Sequence, residues 1–426
     1  MMKLVIAEKP SVGMAYAEVV GAKKRMDGYM EGGGYLVSWC FGHLVEFAPA
    51  ESYVERFAKW NRADLPIVPA PWNMKVAHAK KKQFEILKGL MHREDVSEIV
   101  NGCDAGREGE AIFRYVYEMA GCKKPIKRLW LSSMEDDAIR DAFSHLRDGA
   151  DYDALYAAAL CRAKADWLVG INATRLFSTL YHRTLNVGRV VSPTLALVVA
   201  RDAEIKAFQP EPFYTVNLDF GEFSAGSAKC KEKADAENIL AACTGQNAVV
   251  SKIEYKGKSE KAPALYDLTT LQREANRALG YTAQQTLDYL QTLYEKKLCT
   301  YPRTDSRFLT DDMAASVGNV VQYAANVLDA AMPVSLHSGQ VCDSRKVTDH
   351  HAVIPTIKVR DADMDDLPAG EREILKLICR QALMAVSAPF RFVDMAVTLD
   401  CGGAAFTAKG KRVLAPGWKA YLGQSD

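Results

Sequence analysis

The sequence predicts a multidomain protein of α/β, α and β parts: an N-terminal doubly wound α/β unit, helical segments, and an antiparallel β domain interrupted by a helical insertion. Three observations predict it. Short apolar runs alternate with helical patterns over roughly the first 150 residues, the mark of a mostly parallel sheet with crossover helices. After Pro210 the pattern becomes two-residue alternation rich in β-branched and aromatic residues, as in "FYTVNLDF" and "NAVVSKIEYKGK". Helical spacing then resumes at "DLTTLQREANRALG", and a β pattern with a glycine turn returns at "FRFVDMAVTLDCGGAAFTAKGKRVL".

Each element has its own signal. "KLVIAE" (3–8) is a short apolar run ending in a carboxylate, which suits a buried parallel strand. "SEIVNGCDAGREGEAIFRYVYEMAG" reads as strand, acidic glycine turn and helix to Gly121. "IKRLWLSS" (126–133) reads as a further strand, and "MEDDAIRDAFSHLRDG" as a helix opened by acids and closed by glycine. Residues 152–181 are helical in pattern. "RVVSPTLALVVARDAEIKAF" predicts another helix, with Ser192 as N-cap and Pro193 at the first helical position. Two helices follow "DLTTLQREANRALG" and "TAQQTLDYLQTLYEKK", at about 311–330 and 370–387.

Composition narrows the function. Of 426 residues, 49% are hydrophobic and 25% charged, enough for more than one core. Formal net charge is +1, so any nucleic-acid site must be a local basic surface. No apolar run reaches the roughly 18 residues of a membrane span, and "MMKLVIAEKPS" does not read as a signal peptide. Ten cysteines are scattered with no C-x-x-C pair, which argues for reduced thiols in a cytoplasmic protein. No G-x-x-x-x-G-K-[ST] loop occurs, so no nucleotide cofactor is expected.

Five stretches could carry chemistry. In "CDAGREGE" (103–110), Asp104 ends a strand, and Glu108 and Glu110 open a helix. Such carboxylates can hold Mg²⁺, which takes hard oxygen ligands and keeps several waters. Glu8 joins them if the two strands are neighbours, since open α/β sheets bind ligands at the carboxyl ends of their strands. An acidic helix start that stabilises the dipole explains the same residues. In "EKPS", Lys9 places a cation beside Glu8. In "NVGRVVSPT", capping explains Ser192 and Pro193 but not Arg189, which stands where a phosphate could bind. In "TDHHAVIPT", His350 and His351 point opposite ways if extended, so at most one faces a site. In "LCTYPRTDSRFL", Tyr301 is a phenol beside a proline and Arg303. A phenol of pKa ~10 becomes a useful nucleophile only where a cation stabilises the charge that develops.

In this order, "LVIAEKPSVG", "DAGREGE", "RAKADWLVGINATR", "NVGRVVSPT", "YDLTTLQREAN", "LYEKKLCTYPRTDSR" and "DHHAVIPT" resemble the type IA DNA topoisomerases, most closely the bacterial topoisomerase III branch. The resemblance implies a Toprim α/β metal-binding domain at 1–150 and part of a helical DNA-binding domain at 151–208. It further implies the first part of a β arch at 209–264, a helical domain carrying Tyr301 at 265–388, and an incomplete return of the arch at 389–426, together forming a toroidal core. Family members continue past "GWKAY", so the chain is expected to be short at its C-terminus.

The resemblance also implies site roles. Tyr301 matches the tyrosine that becomes linked to a 5′ phosphate; Arg303, Lys9 and His350 match phosphate-contacting catalytic positions. Glu8, Asp104 and Glu108 match the Mg²⁺ carboxylates. Asn186, Val187, Gly188, Arg189, Val190, Val191 and Ser192 match a DNA-contacting loop, and Arg162, Gly170 and Trp60 match further DNA contacts. The implied substrate is single-stranded or negatively supercoiled DNA, relaxed or decatenated without ATP, with a helicase as possible partner. Two positions depart from the family: Gly106 replaces the second Asp of a D-x-D pair, and Val191 replaces a glutamine. Two alternatives stay open, an inactive single-strand-binding remnant and a Toprim nuclease or primase-like enzyme.

Overall fold

The computed structural model describes all residues except 132, 133, 135, 348, 349 and 423–426; of Asp137 only the backbone is described. It divides into two compact units. The first comprises residues 1–206 with 348–350, the second 207–347 with 351–426.

The first unit is built on a seven-stranded sheet. Its strands are β1 (Met2–Ala7), β2 (Lys24–Met26), β3 (Tyr29–Gly32) and β4 (Tyr35–Trp39), then β7 (Val96–Gly102), β8 (Ile126–Arg128) and β9 (Arg147–Asp148), in the order β2-β3-β4-β1-β7-β8-β9. Two short strands, β5 (Val45–Phe47) and β6 (Met74–Val76), pair separately. The centre is parallel, β4 to β8, and both edges are antiparallel. The strand pairs at the edges were not marked by the sequence reading; they are too short to show a clear alternation.

Helices α1 (Pro10–Val20), α2 (Lys81–Met91), α3 (Arg107–Ala120), α4 (Asp136–Ser144) and α5 (Asp153–Tyr181) cover both faces. The two-residue period of β1 decides which. Leu4 and Ile6 face a core shared with Phe84 and Leu87 of α2 and Phe113 and Val116 of α3. Val5 and Ala7 face the opposite core, with Val12 and Tyr16 of α1 and Ile139 of α4. The strand expected at 126–133 is regular only to Arg128; Ser132 and Ser133 lie outside the described residues. The following helix ends at Ser144, earlier than expected, because Arg147 and Asp148 pair with β8.

Helix α6 (Val191–Ala207) closes the first unit, and its start corrects one expectation. Ser192 N–H donates to Gly188 O (3.2 Å), so Ser192 already lies inside the first turn rather than at the N-cap. Its hydroxyl instead accepts from Gly188 N–H at 3.2 Å.

The second unit has two cores. Strands β10 (Asn217–Asp219), β11 (Ser224–Ser227), β12 (Val249–Glu260), β13 (Phe390–Cys401) and β14 (Ala404–Ala415) form an antiparallel sheet ordered β10-β11-β14-β13-β12. Gly402 and Gly403, at φ +60° and +80°, supply the left-handed turn that joins β13 to β14. Helix α7 (Lys233–Cys243) packs on one end of this sheet through Ala236 and Cys243, an element the sequence reading did not mark. Between β12 and β13 runs the helical insertion: α8 (Leu268–Leu279), α9 (Ala283–Glu295), α10 (Val317–Val327) and α11 (Ala369–Ala385). Asp267 and Thr282 each form a capping box at their helix starts. Among the described residues, no helix is long and apolar enough to cross a membrane.

Candidate functional site

Ala7 and Gly102, the last residues of two parallel neighbours, stand side by side in register. The chain therefore leaves both strands at the same sheet edge, bringing Glu8 to Asp104. Asp104 N–H donates to Glu8 Oε2 at 3.3 Å. Lys9 Nζ lies 3.9 Å from Asp104 Oδ2, and His350 Nε2 lies 3.4 Å from the same oxygen. Lys9 and His350 thus converge on one carboxylate, that of Asp104. His351 is buried, and its Nδ1 lies 2.8 Å from Ala352 O.

The two carboxyls respond in opposite directions. Burial, followed by the charge of Asp104, pushes Glu8 up to about 7, against the pull of Lys9, the Asp104 N–H and His350. Burial works to raise Asp104 too, but the His350 hydrogen bond and the charges of Lys9, His350 and Arg128 outweigh it and hold that carboxyl below its ordinary value.

A buried network fixes the turn. Arg128 has a fully buried side chain and donates to Asn101 O (3.0 Å), Cys103 O (2.7 Å), Leu129 O (2.9 Å) and Asp104 O (2.7 Å). Its Nε lies 3.1 Å from Glu110 Oε2. Glu110 also accepts from Asn101 Nδ2 (2.8 Å) and Arg114 Nε (2.9 Å). Glu110 is therefore a structural anion rather than part of the open acidic cluster the sequence suggested. Gly109 lets α3 approach the turn, because a Cβ there would fall 2.2 Å from Asp104 O. Arg128, Asn101 and His43 were missed by sequence reasoning; only their long-range contacts give them a role.

Glu108 stands apart from Glu8 and Asp104 in its partner. His43 Nε2 lies 2.5 Å from its Oε1, and this hydrogen bond, the largest influence, holds the Glu108 carboxyl below its ordinary value. Among the described residues no group of three or more His, Cys, Asp or Glu is arranged to hold a metal. Glu8 and Asp104 by themselves suit a hard divalent cation, which binds through one or two carboxylates and keeps its waters. Burial, and after it the neighbouring Asp104 charge, raises Glu8; a bound cation would offset that repulsion between the two carboxyls.

The expected DNA-contacting residues lie on and around α5 and α6. Arg162 is exposed on α5, and its charge acts on Glu108 and Asp166. Gly170 faces the loop at Val187; a Cβ there would meet only Val187 O, at 3.9 Å. In that loop Asn186, Arg189, Val190 and Val191 are exposed, while Val187 exchanges hydrogen bonds with Thr174 Oγ1 (2.9 and 3.4 Å). Arg189 forks onto Asp166 at 2.6 and 3.1 Å. Trp60 is 44% exposed, with the Arg175 guanidinium 5.5 Å from its ring centre.

In the second unit, Tyr301 follows a segment anchored by Thr300, whose N–H donates to Ile354 O (3.0 Å) and whose hydroxyl donates to Ala352 O (3.0 Å). The Tyr301 ring meets Tyr294 edge-on at 5.5 Å. Beyond it, Pro302, Thr304 and Ser306 are buried while Arg303 and Asp305 are exposed. This alternation leaves the guanidinium at the surface beside a half-buried phenol.

Residues 150–426 match the family model described as DNA topoisomerase, and residues 3–134 match the Toprim domain. The chain belongs to the type IA DNA topoisomerase family. It is 41% identical to DNA topoisomerase 3 of Bacillus subtilis (strain 168) and 40% identical to DNA topoisomerase 3 of Bacillus licheniformis, each alignment covering 99% of this chain and 60% of the relative. The chain thus spans 60% of the length of these curated relatives. Full-length topoisomerase I from Thermotoga maritima shares the fold, with a TM-score of 0.74 and 22% identity over 99% of this chain and 68% of that one.

Proposed function

We propose that this chain carries the DNA-cleaving and resealing core of an ATP-independent topoisomerase acting on single-stranded or negatively supercoiled DNA. The observation that carries the reading is the convergence of Lys9, His350 and Glu8 on Asp104 at the open edge of a Toprim sheet, in a chain of this family that also bears Tyr301 and Arg303. Lys9 supplies a cationic donor and His350 an imidazole nitrogen beside it, a phosphate-binding chemistry. Arg303, exposed two residues from Tyr301, supplies a fork that fits phosphoryl oxygens.

In the proposed reaction Tyr301 Oη attacks phosphorus and loses its proton. The bond from phosphorus to the 3′ oxygen breaks, and that oxygen takes up a proton. One phosphodiester becomes one 5′-phosphotyrosine, so little free energy is lost and resealing needs no nucleotide. Lys9, Arg303 and His350 offset the charge on the phosphoryl oxygens as it shifts. Glu8 and Asp104 would hold Mg²⁺, with Glu108 joining once released from His43. The ion would supply positive charge at the phosphate and order for the 3′ hydroxyl. Asn186 to Ser192, with Arg162, Gly170 and Trp60, would track the strand by phosphate contacts and base stacking. The place of action would be the cytoplasm, with a helicase as the class of partner that exposes single strands.

The test is direct. Incubation with labelled single-stranded oligonucleotide and Mg²⁺, followed by denaturation, should leave a covalent protein–DNA adduct with wild type and none with Tyr301→Phe. An adduct that survives this substitution refutes the assignment.

A further inference from the structure

The second unit carries a basic surface that the cleavage reading does not use. Directly opposed residues of an antiparallel sheet point to the same side. Lys256 is opposite Asp394, which is opposite Lys411; Glu254 is opposite Ala396, which is opposite Lys409. With Lys252 and Lys258 two residues to either side along β12, five lysines share one face of β12, β13 and β14. Four of them, Lys256, Lys258, Lys409 and Lys411, line a groove of about 480 Å³ together with Glu254 and Asp394.

The acids on this face are already engaged. Lys252 pairs with Glu254 at 2.8 Å and Lys258 with Asp394 at 2.6 Å. Among the described residues no carboxylate forms an ion pair with Lys256, Lys409 or Lys411, and all three are exposed. Lys411 lies 4.3 Å over the Phe392 ring, which holds its stem against the sheet. Alternate residues along a strand are about 6.8 Å apart and adjacent strands about 4.8 Å, so the excess cations form a fixed two-dimensional array. Such an array complements a polyanion with regularly spaced charges. Of polyanions, the one this family handles is DNA.

We propose that the lysine face of β12, β13 and β14 is a second DNA-binding surface that holds the phosphates of a segment other than the one being cut. This inference rests on the DNA-cleaving function proposed above. The face is sequence-independent, since lysine reads phosphate as a point charge.

The test compares wild type with Lys256→Gln/Lys409→Gln/Lys411→Gln. Binding to long single-stranded and duplex DNA is followed by anisotropy across a salt series. Loss of three phosphate contacts should reduce the slope of log K against log salt by roughly 2 on single strands or nearly 3 on duplex; a reduction confined to one arm identifies the bound form. Adduct formation on a short oligonucleotide should be unchanged in the variant. In wild type, long DNA should protect these three lysines from acetylation, read by mass spectrometry. An unchanged slope in both arms overturns the proposal. So does equal protection by polyglutamate at matched charge, which would assign the face to an acidic protein. Absence of adduct in wild type together with a changed slope would sink the cleavage reading and leave the lysine face standing.

Discussion

Arg128→Met is the most exacting perturbation of the acidic edge. It removes a guanidinium that donates to four backbone carbonyls and pairs with a buried carboxylate. Not every partner is orphaned. Leu129 N–H still donates to Asn101 O, and Gly106 N–H to Asp104 O. Glu110 keeps Asn101 and Arg114. Removing one member of a buried pair costs about 3–5 kcal/mol, and the partners that remain put this case near the lower end, about 3 kcal/mol. Five of the six tryptophans, at 39, 60, 72, 130 and 167, lie in the first unit. Urea unfolding followed by tryptophan fluorescence therefore reports chiefly on that unit. The double variant Arg128→Met/Glu110→Leu should recover at least about 1 kcal/mol of the loss, because it removes the carboxylate left behind. A single-variant loss below about 1 kcal/mol would refute the claim that Arg128 pins the Asp104 turn.

Other outcomes follow from the same geometry. Gly109→Ala should destabilise the first unit by about 1–3 kcal/mol, since its Cβ meets Asp104 backbone at 2.2 Å; thermal unfolding within error of wild type would contradict the close approach. Glu8 is raised from 4.5 to about 7, so its protonated form favours the fold: that contribution is complete below about 4.5 and is lost as pH rises through about 7. A bound cation prefers the ionised form, so Mg²⁺ uptake at pH 6 should release protons, measured by calorimetry in buffers of different ionisation enthalpy, and should release few at pH 8. His43→Ala frees Glu108 from its 2.5 Å partner and should lower the Mg²⁺ concentration for half-maximal adduct; a higher requirement would show that His43 orients Glu108 for the metal instead of competing with it.

The sequence by itself determined the main strands and helices and their order, though not the short edge strands or α7. A continuous apolar run made β1 buried on both faces, helical spacing marked the segments that form α8 and α9, and seven ordered motifs carried the family. These are local signals, readable because hydrogen-bond and burial patterns repeat within a few residues. The tertiary structure decided what the acidic residues do. Glu108 and Glu110 are two positions apart on one helix, yet one faces His43 near solvent and the other is sealed against Arg128. The lysine array likewise comes from strands some 150 residues apart, joined only by sheet register. Side-chain partners at such separations depend on which strands become neighbours. That choice is made by packing of whole elements, which no short window of sequence contains.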